Sequence, residues 1–184
     1  MRRPALAMLA LLLALSAACA APQRVAHAPA QTPPPAQAVP HDWPSLTDAQ
    51  FGFSLRYPAG WTEKFDRPPG FHALASRATM TSLLDLADND YWLVAQVDPL
   101  DPSTRCGEPV GQPTEKTDTT LGGQAATRYV ATGSRGSTIQ HIVLVVALRG
   151  TTCYTLQLVA GGAIPLDQAL STLRVIQGSY RYSR

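Results

Sequence analysis

Charge is scarce in this chain: Asp, Glu, Lys and Arg make up 15% of its 184 residues, and the formal net charge is only +2. Two of the 15 basic residues, Arg2 and Arg3, stand at the very start, and without them basic and acidic residues balance at 13 each. A neutral chain lacks the clustered positive face that nucleic acid requires. No His-Glu-x-x-His, phosphate loop or paired-cysteine zinc spacing occurs, which removes the commonest metal and nucleotide chemistries. No Gly-x-Ser-x-Gly elbow is present either; Gly133-Ser134-Arg135-Gly136-Ser137 only looks similar and falls where a turn is expected. Apolar runs stay short of the roughly 20 residues that span a bilayer.

What is present begins with an address. Arg2 and Arg3 precede an apolar run over residues 5–15, which closes on Ser16, Ala17, Ala18 and Cys19. A positive start, a short apolar core and small residues before a cut make residues 1–18 a secretory signal. Leu15-Ser16-Ala17-Ala18-Cys19 resembles a bacterial lipobox, in which the cysteine becomes the lipidated first residue of the mature chain. The large apolar residue usually sits three before that cysteine; here Ser16 holds that place and Leu15 stands one earlier. The competing reading is an ordinary secretory cut after Ala20. Residues 19–44 turn to Pro, Ala and Gln, with Pro33, Pro34 and Pro35 in succession. Such a stretch buries too little apolar surface to offset its ordering entropy, so a semi-extended tether is expected, reaching about 3.1 Å per residue. His27 and His41 lie in it without further ligands nearby.

If Cys19 carries lipid, Cys106 and Cys153 remain as an even pair in an oxidising compartment, and a disulfide between them is expected. The alternative, a reactive thiol, lacks a neighbouring base in sequence for either residue.

Residues 45–184 are long enough for one domain with a sizeable core. Phe51, Phe53, Leu55 and Tyr57 alternate onto one face of a half-buried strand, and Pro58 to Gly60 suit a type I turn that folds Trp61 back. A short strand after Trp61 and a second over residues 71–77 follow. Met80, Leu83, Leu84 and Ala87 fall at helical spacing, with Asn89 and Asp90 as a stop. Residues 91–98 alternate as a strand, and residues 98–112 form a long loop holding Cys106. Gly122-Gly123 joins two strands as a tight hairpin, and residues 133–136 are expected to turn again. Residues 137–148 are largely apolar on both parities, as in a central strand covered on both sides for much of its length. After residues 151–159 comes a helix, with Leu166, Ala169, Leu170, Leu173 and Ile176 on one stripe, and residues 179–182 return as a closing strand. The expected class is α+β.

Three stretches, 52–61, 121–129 and the end from Tyr154 through the helix to Tyr182, resemble the PsbP-like and DcrB-like domains, which share a fold with a nuclear-import factor that binds Ran. The resemblance implies a curved antiparallel sheet with flanking helices, export and, in bacteria, a lipid anchor with an outer-membrane address facing the periplasm. It implies no catalytic residues and no cofactor, because these domains are mostly adaptors. The segment 71–98 departs from the pattern.

His72 and His141 lie on strands, where a packed histidine competes with a catalytic base. Asp85, Asp88 and Asp90 could hold a cation weakly, but they lack the glycine and terminal glutamate of a calcium loop and suit capping better. Three readings follow: a membrane-tethered interaction module with an unidentified protein partner, a carrier of a small apolar or lipid ligand, and an enzyme. The last would need His72 or His141 beside a carboxylate and a Ser or Cys in one cleft.

Overall fold

The computed structural model describes residues 38–64, 68–100, 106–107, 112–135 and 137–183; the expected signal, Cys19 and most of the tether lie outside these. Among the described residues there are ten strands: β1 (Ser45–Asp48), β2 (Phe53–Arg56), β3 (Thr62–Lys64), β4 (Phe71–Ala75), β5 (Tyr91–Pro99), β6 (Glu115–Leu121), β7 (Gln124–Arg135), β8 (Thr138–Arg149), β9 (Thr152–Gly161) and β10 (Arg181–Tyr182). One α-helix, α1 (Leu166–Ser179), precedes β10. Seven strands form an antiparallel sheet in the order β3-β4-β5-β9-β8-β7-β6, and three form a small one in the order β1-β2-β10. A meander over β6 to β9 therefore brings β9 back beside β5.

The core lies on one face of the large sheet. Leu74, Leu93, Ala95, Val143, Val145, Leu156 and Leu158 project there, against Ala169, Leu173 and Ile176 of α1 and Leu46, Phe53 and Leu55 of the small sheet. Removing one such large side chain from water contributes about 1.5–3 kcal/mol. Phe53 stacks on Tyr180, ring centroids 5.4 Å apart, and that packing fixes the small sheet to the end of the helix. Deep burial, with Tyr182 and Tyr154 close by, pushes the Tyr180 hydroxyl far above its ordinary value.

A second, smaller cluster covers the opposite face. Ala73, Ala75, Trp92, Val94 and Val159 are capped there by Met80 and Leu86 of the β4–β5 connection. This connection corrects the helix expected over residues 79–87: only a single 3-10 turn forms, Leu83–Asp85. The backbone donors at its start are taken by side chains. Ser82 Oγ accepts from the Leu84 N–H, and the Asp85 carboxylate accepts from Thr81 and Ser82. These local bonds replace the i→i−4 ladder, while Met80 and Leu86 both reach the sheet.

Three further expectations change. The Trp61 N–H bonds to Pro58 O, so Gly60, at φ +85°, is the third residue of a type II turn and not the last of a type I. Strand β7 runs through Gly133 to Arg135, paired with Gln140, Ile139 and Thr138, so these residues continue the ladder where a turn was expected. Strand β8 is less covered than its apolar pattern suggests: Val143, Val145, Val146 and Ala147 are buried, but Ile139 on one face is 52% exposed and Leu148 on the other 50%. The Gly122-Gly123 connection holds, with φ of +55° and +85°, the positive values of a tight hairpin.

Candidate functional site

Local geometry singles out two places. The first is on the outer face, where β6, β7 and β8 are not covered by the β4–β5 connection. Cys106 is bridged to Cys153 of β9, with Cα atoms 5.3 Å apart. The bridge sets Gly107 directly on Val146, where a Cβ would run into the valine methyls. Beside it opens a cleft of about 520 Å³, lined by Asp118, Thr127, Tyr129, Val146 and Leu148 together with Cys106. Lys116 holds its ammonium 5.7 Å from the Tyr129 ring centroid at its margin.

The second is a clasp between the two sheets. His72 of β4 points from the large sheet toward the small one, its Nε2 2.7 Å from Asp48 Oδ2 and its Nδ1 3.1 Å from Glu63 Oε1. Phe53 meets the ring edge-on at 5.7 Å. Burial works to raise the Asp48 carboxyl, but the bonds from His72 and from the Phe51 N–H, 2.9 Å away, outweigh it and hold the group below its ordinary value. A cleft of about 490 Å³ lies alongside, lined by Thr47, Gln50, Lys64 and Phe71 among others.

Asp48 and Glu63 were not legible as partners of His72. Asp48 lies 24 residues away, on a strand whose Ser-Leu-Thr-Asp sequence carries a single large apolar residue. Only the β3–β4 register, which pairs Glu63 with Leu74, places Glu63 on the His72 face. The pairing of histidine with carboxylate in a cleft meets part of what an enzyme would need. A general base turns one nitrogen to its orienting carboxylate and the other to substrate. Here both nitrogens face carboxylates, and neither Ser nor Cys is among the described residues lining the cleft.

The remaining candidates are absorbed locally. His141 Nδ1 lies 3.2 Å from Thr132 Oγ1 across the β7–β8 pair. Asp85 caps the 3-10 turn, while Asp90 is gripped by Arg77, Nη2 to Oδ2 2.8 Å, and the guanidinium lowers its proton affinity. Among the described residues no group of three or more His, Cys, Asp or Glu side chains is arranged to hold a metal ion. None of their helices is long and apolar enough to cross a membrane.

No protein-family model matches the sequence, and no curated protein matches it. Solved structures do. The solution structure of cyanobacterial PsbP (CyanoP) from Synechocystis sp. PCC 6803 matches with a TM-score of 0.53 at 12% identity, over 76% of this chain and 91% of that one. LpqN of Mycobacterium tuberculosis, described as involved in cell envelope biogenesis, matches at 0.51 and 11%, over 77% and 90%. A Bacteroides thetaiotaomicron protein matches at 0.45 and 11%; this chain spans 45% of its length. With a helix and a small sheet packed on one face of a long antiparallel sheet, the chain has the PsbP-like α+β fold.

Proposed function

We propose that this chain is an exported accessory protein of the cell envelope that works by holding a partner protein. Cys19 is its acylated anchor, residues 19–44 are its tether, and the folded part faces the periplasm from the outer membrane. The observation that carries the reading is the contrast between the two faces of the large sheet. The helix side, where a small apolar ligand would be enclosed, is filled by Phe53, Leu93, Leu156, Leu158 and Leu173. The outer face instead presents an open cleft with Leu148 half exposed and Tyr129 beside it, an aromatic and aliphatic surface with a charged margin of the kind that anchors protein interfaces. The similarity to LpqN, itself described as involved in cell envelope biogenesis, supports the same compartment. His72, held between two carboxylates, favours binding over catalysis.

The test is affinity capture with the full-length protein from detergent-solubilised envelopes, comparing wild type with Leu148→Asp. A protein captured by the first and lost with the second is expected; identical captures would overturn the outer cleft as the binding surface. In the same cells Cys19→Ser should move the protein to the soluble fraction, and unchanged membrane retention would remove the anchor from the proposal.

A further inference from the structure

Strand β6 ends the large sheet, and among the described residues no strand pairs with its outer side. Natural sheets guard such edges with prolines, bulges or charges directed along the edge. This one has seven residues, Glu115–Leu121, without proline.

Which backbone groups are free follows from the hairpin. A two-residue connection closes on a hydrogen-bonded pair, here Leu121 with Gln124. Alternation then directs the N–H and C=O of Leu121, Thr119, Thr117 and Glu115 toward β7, and those of Thr120, Asp118 and Lys116 away from the sheet. The Thr120 carbonyl is already satisfied, accepting from Gln177 Nε2 of α1 at 2.5 Å. Lys116 and Asp118 therefore offer complete donor and acceptor sets at the edge.

We infer that this edge pairs with the same edge of a second copy, antiparallel about Thr117, so that Lys116 of each copy lies opposite Asp118 of the other. A two-fold axis makes any such pair occur twice. Of the registers that bring outward-facing residues together, those centred on Thr119 or Thr120 need the Thr120 carbonyl that Gln177 holds and one centred on Lys116 opposes two like charges, which leaves two to compare. Centring on Asp118 sets two like charges opposite each other and needs the Thr120 carbonyl that Gln177 holds. Centring on Thr117 sets opposite charges across the join on both sides, uses only the free sets, and brings Thr117 against its own copy, a favourable cross-strand pair. The charges decide the occupant: this chain supplies both halves of the complementarity from its own sequence, whereas a foreign strand would have to carry them by coincidence. Contact confined to an edge gives a weak, concentration-dependent association. The inference does not depend on the outer cleft or the anchor.

The experiment uses the full-length exported chain with Thr117→Cys or Thr119→Cys, both at exposed or half-exposed edge positions. At the axis the two copies of position 117 form a non-hydrogen-bonded pair with Cα atoms about 4.5 Å apart, within disulfide reach. The two copies of position 119 are roughly 14 Å apart along the strands and out of reach. Thr117→Cys should run at twice the monomer mass without reductant, with peptide mapping joining position 117 to position 117; Thr119→Cys should stay monomeric. Adding Lys116→Glu to Thr117→Cys should deplete the dimer, and adding Asp118→Lys as well should restore it. No cross-link, equal cross-linking at both positions, a bond to a different protein, or indifference to the charge reversal would each overturn the inference.

Discussion

His72→Leu is the sharpest test of how the two sheets are held together. Leucine keeps apolar bulk against Phe53 but removes both ring nitrogens. The Glu63 side chain is 31% exposed, so its bond contributes little in water. Asp48 differs: its side chain is 9% exposed, and it would lose the 2.7 Å partner while keeping the Phe51 N–H. A hydrogen bond to a charged group in such surroundings contributes about 1.5–3 kcal/mol. The surviving N–H bond places the expected loss near the middle of that range, about 2 kcal/mol. At about 2–4 °C per kcal/mol for a domain of this size, Tm should fall by roughly 6 °C. Urea unfolding of His72→Leu, Asp48→Asn and the double variant gives the coupling, which should exceed about 1 kcal/mol because both changes break the same bond. The pH dependence has a definite sign. Asp48 is held below its ordinary value in the folded chain, so its stabilisation is complete above the ordinary carboxylate range and disappears as pH falls through the lowered value. Wild type and Asp48→Asn should therefore converge in acid. Additive losses, or a stability gap that persists in acid, would refute the clasp.

Two other perturbations have definite outcomes. Gly122→Ala and Gly123→Ala both force a side chain into positive φ, at about 1–2 kcal/mol each, but only at Gly122 does the new Cβ meet the Tyr182 ring, 2.7 Å away, while at Gly123 it enters open space. Thermal melts should rank Gly122→Ala clearly below Gly123→Ala, and equal losses would mean that Tyr182 yields freely. Alkylation without reductant should label neither Cys106 nor Cys153, and reduction should lower stability by up to about 4 kcal/mol for a loop of this length; labelling of both thiols would exclude the bridge from the native protein.

Side chains that act within one segment were readable in order. Gly122-Gly123 and the stripe from Leu166 to Ile176 announce turn and helix because local conformation decides each of them. Readings failed where distant partners compete with local preference. Met80, Leu83, Leu84 and Ala87 have helical spacing, yet covering Trp92 and Val94 requires Met80 and Leu86 to face the sheet, and Asp85 takes the donors a helix would use. Gly133 suggests a turn, yet Gln140 across the ladder keeps it in the strand. The clasp was invisible for a related reason: His72, Asp48 and Glu63 belong to three strands, and only the pairing of β3 with β4 and the docking of the small sheet bring them together.

The neighbours of β2 have a consequence for how the protein matures. On one side it pairs with β1, which precedes it directly, and on the other with β10, more than a hundred residues later. A chain emerging from its N-terminal end presents Phe53 and Leu55 early, but the tyrosine that stacks on Phe53 is Tyr180. Until residues 180–182 are in place, the first hairpin lacks its lid and its third strand, so a folding helper should find its principal client surface at the front of the chain and release it only when the back has been delivered.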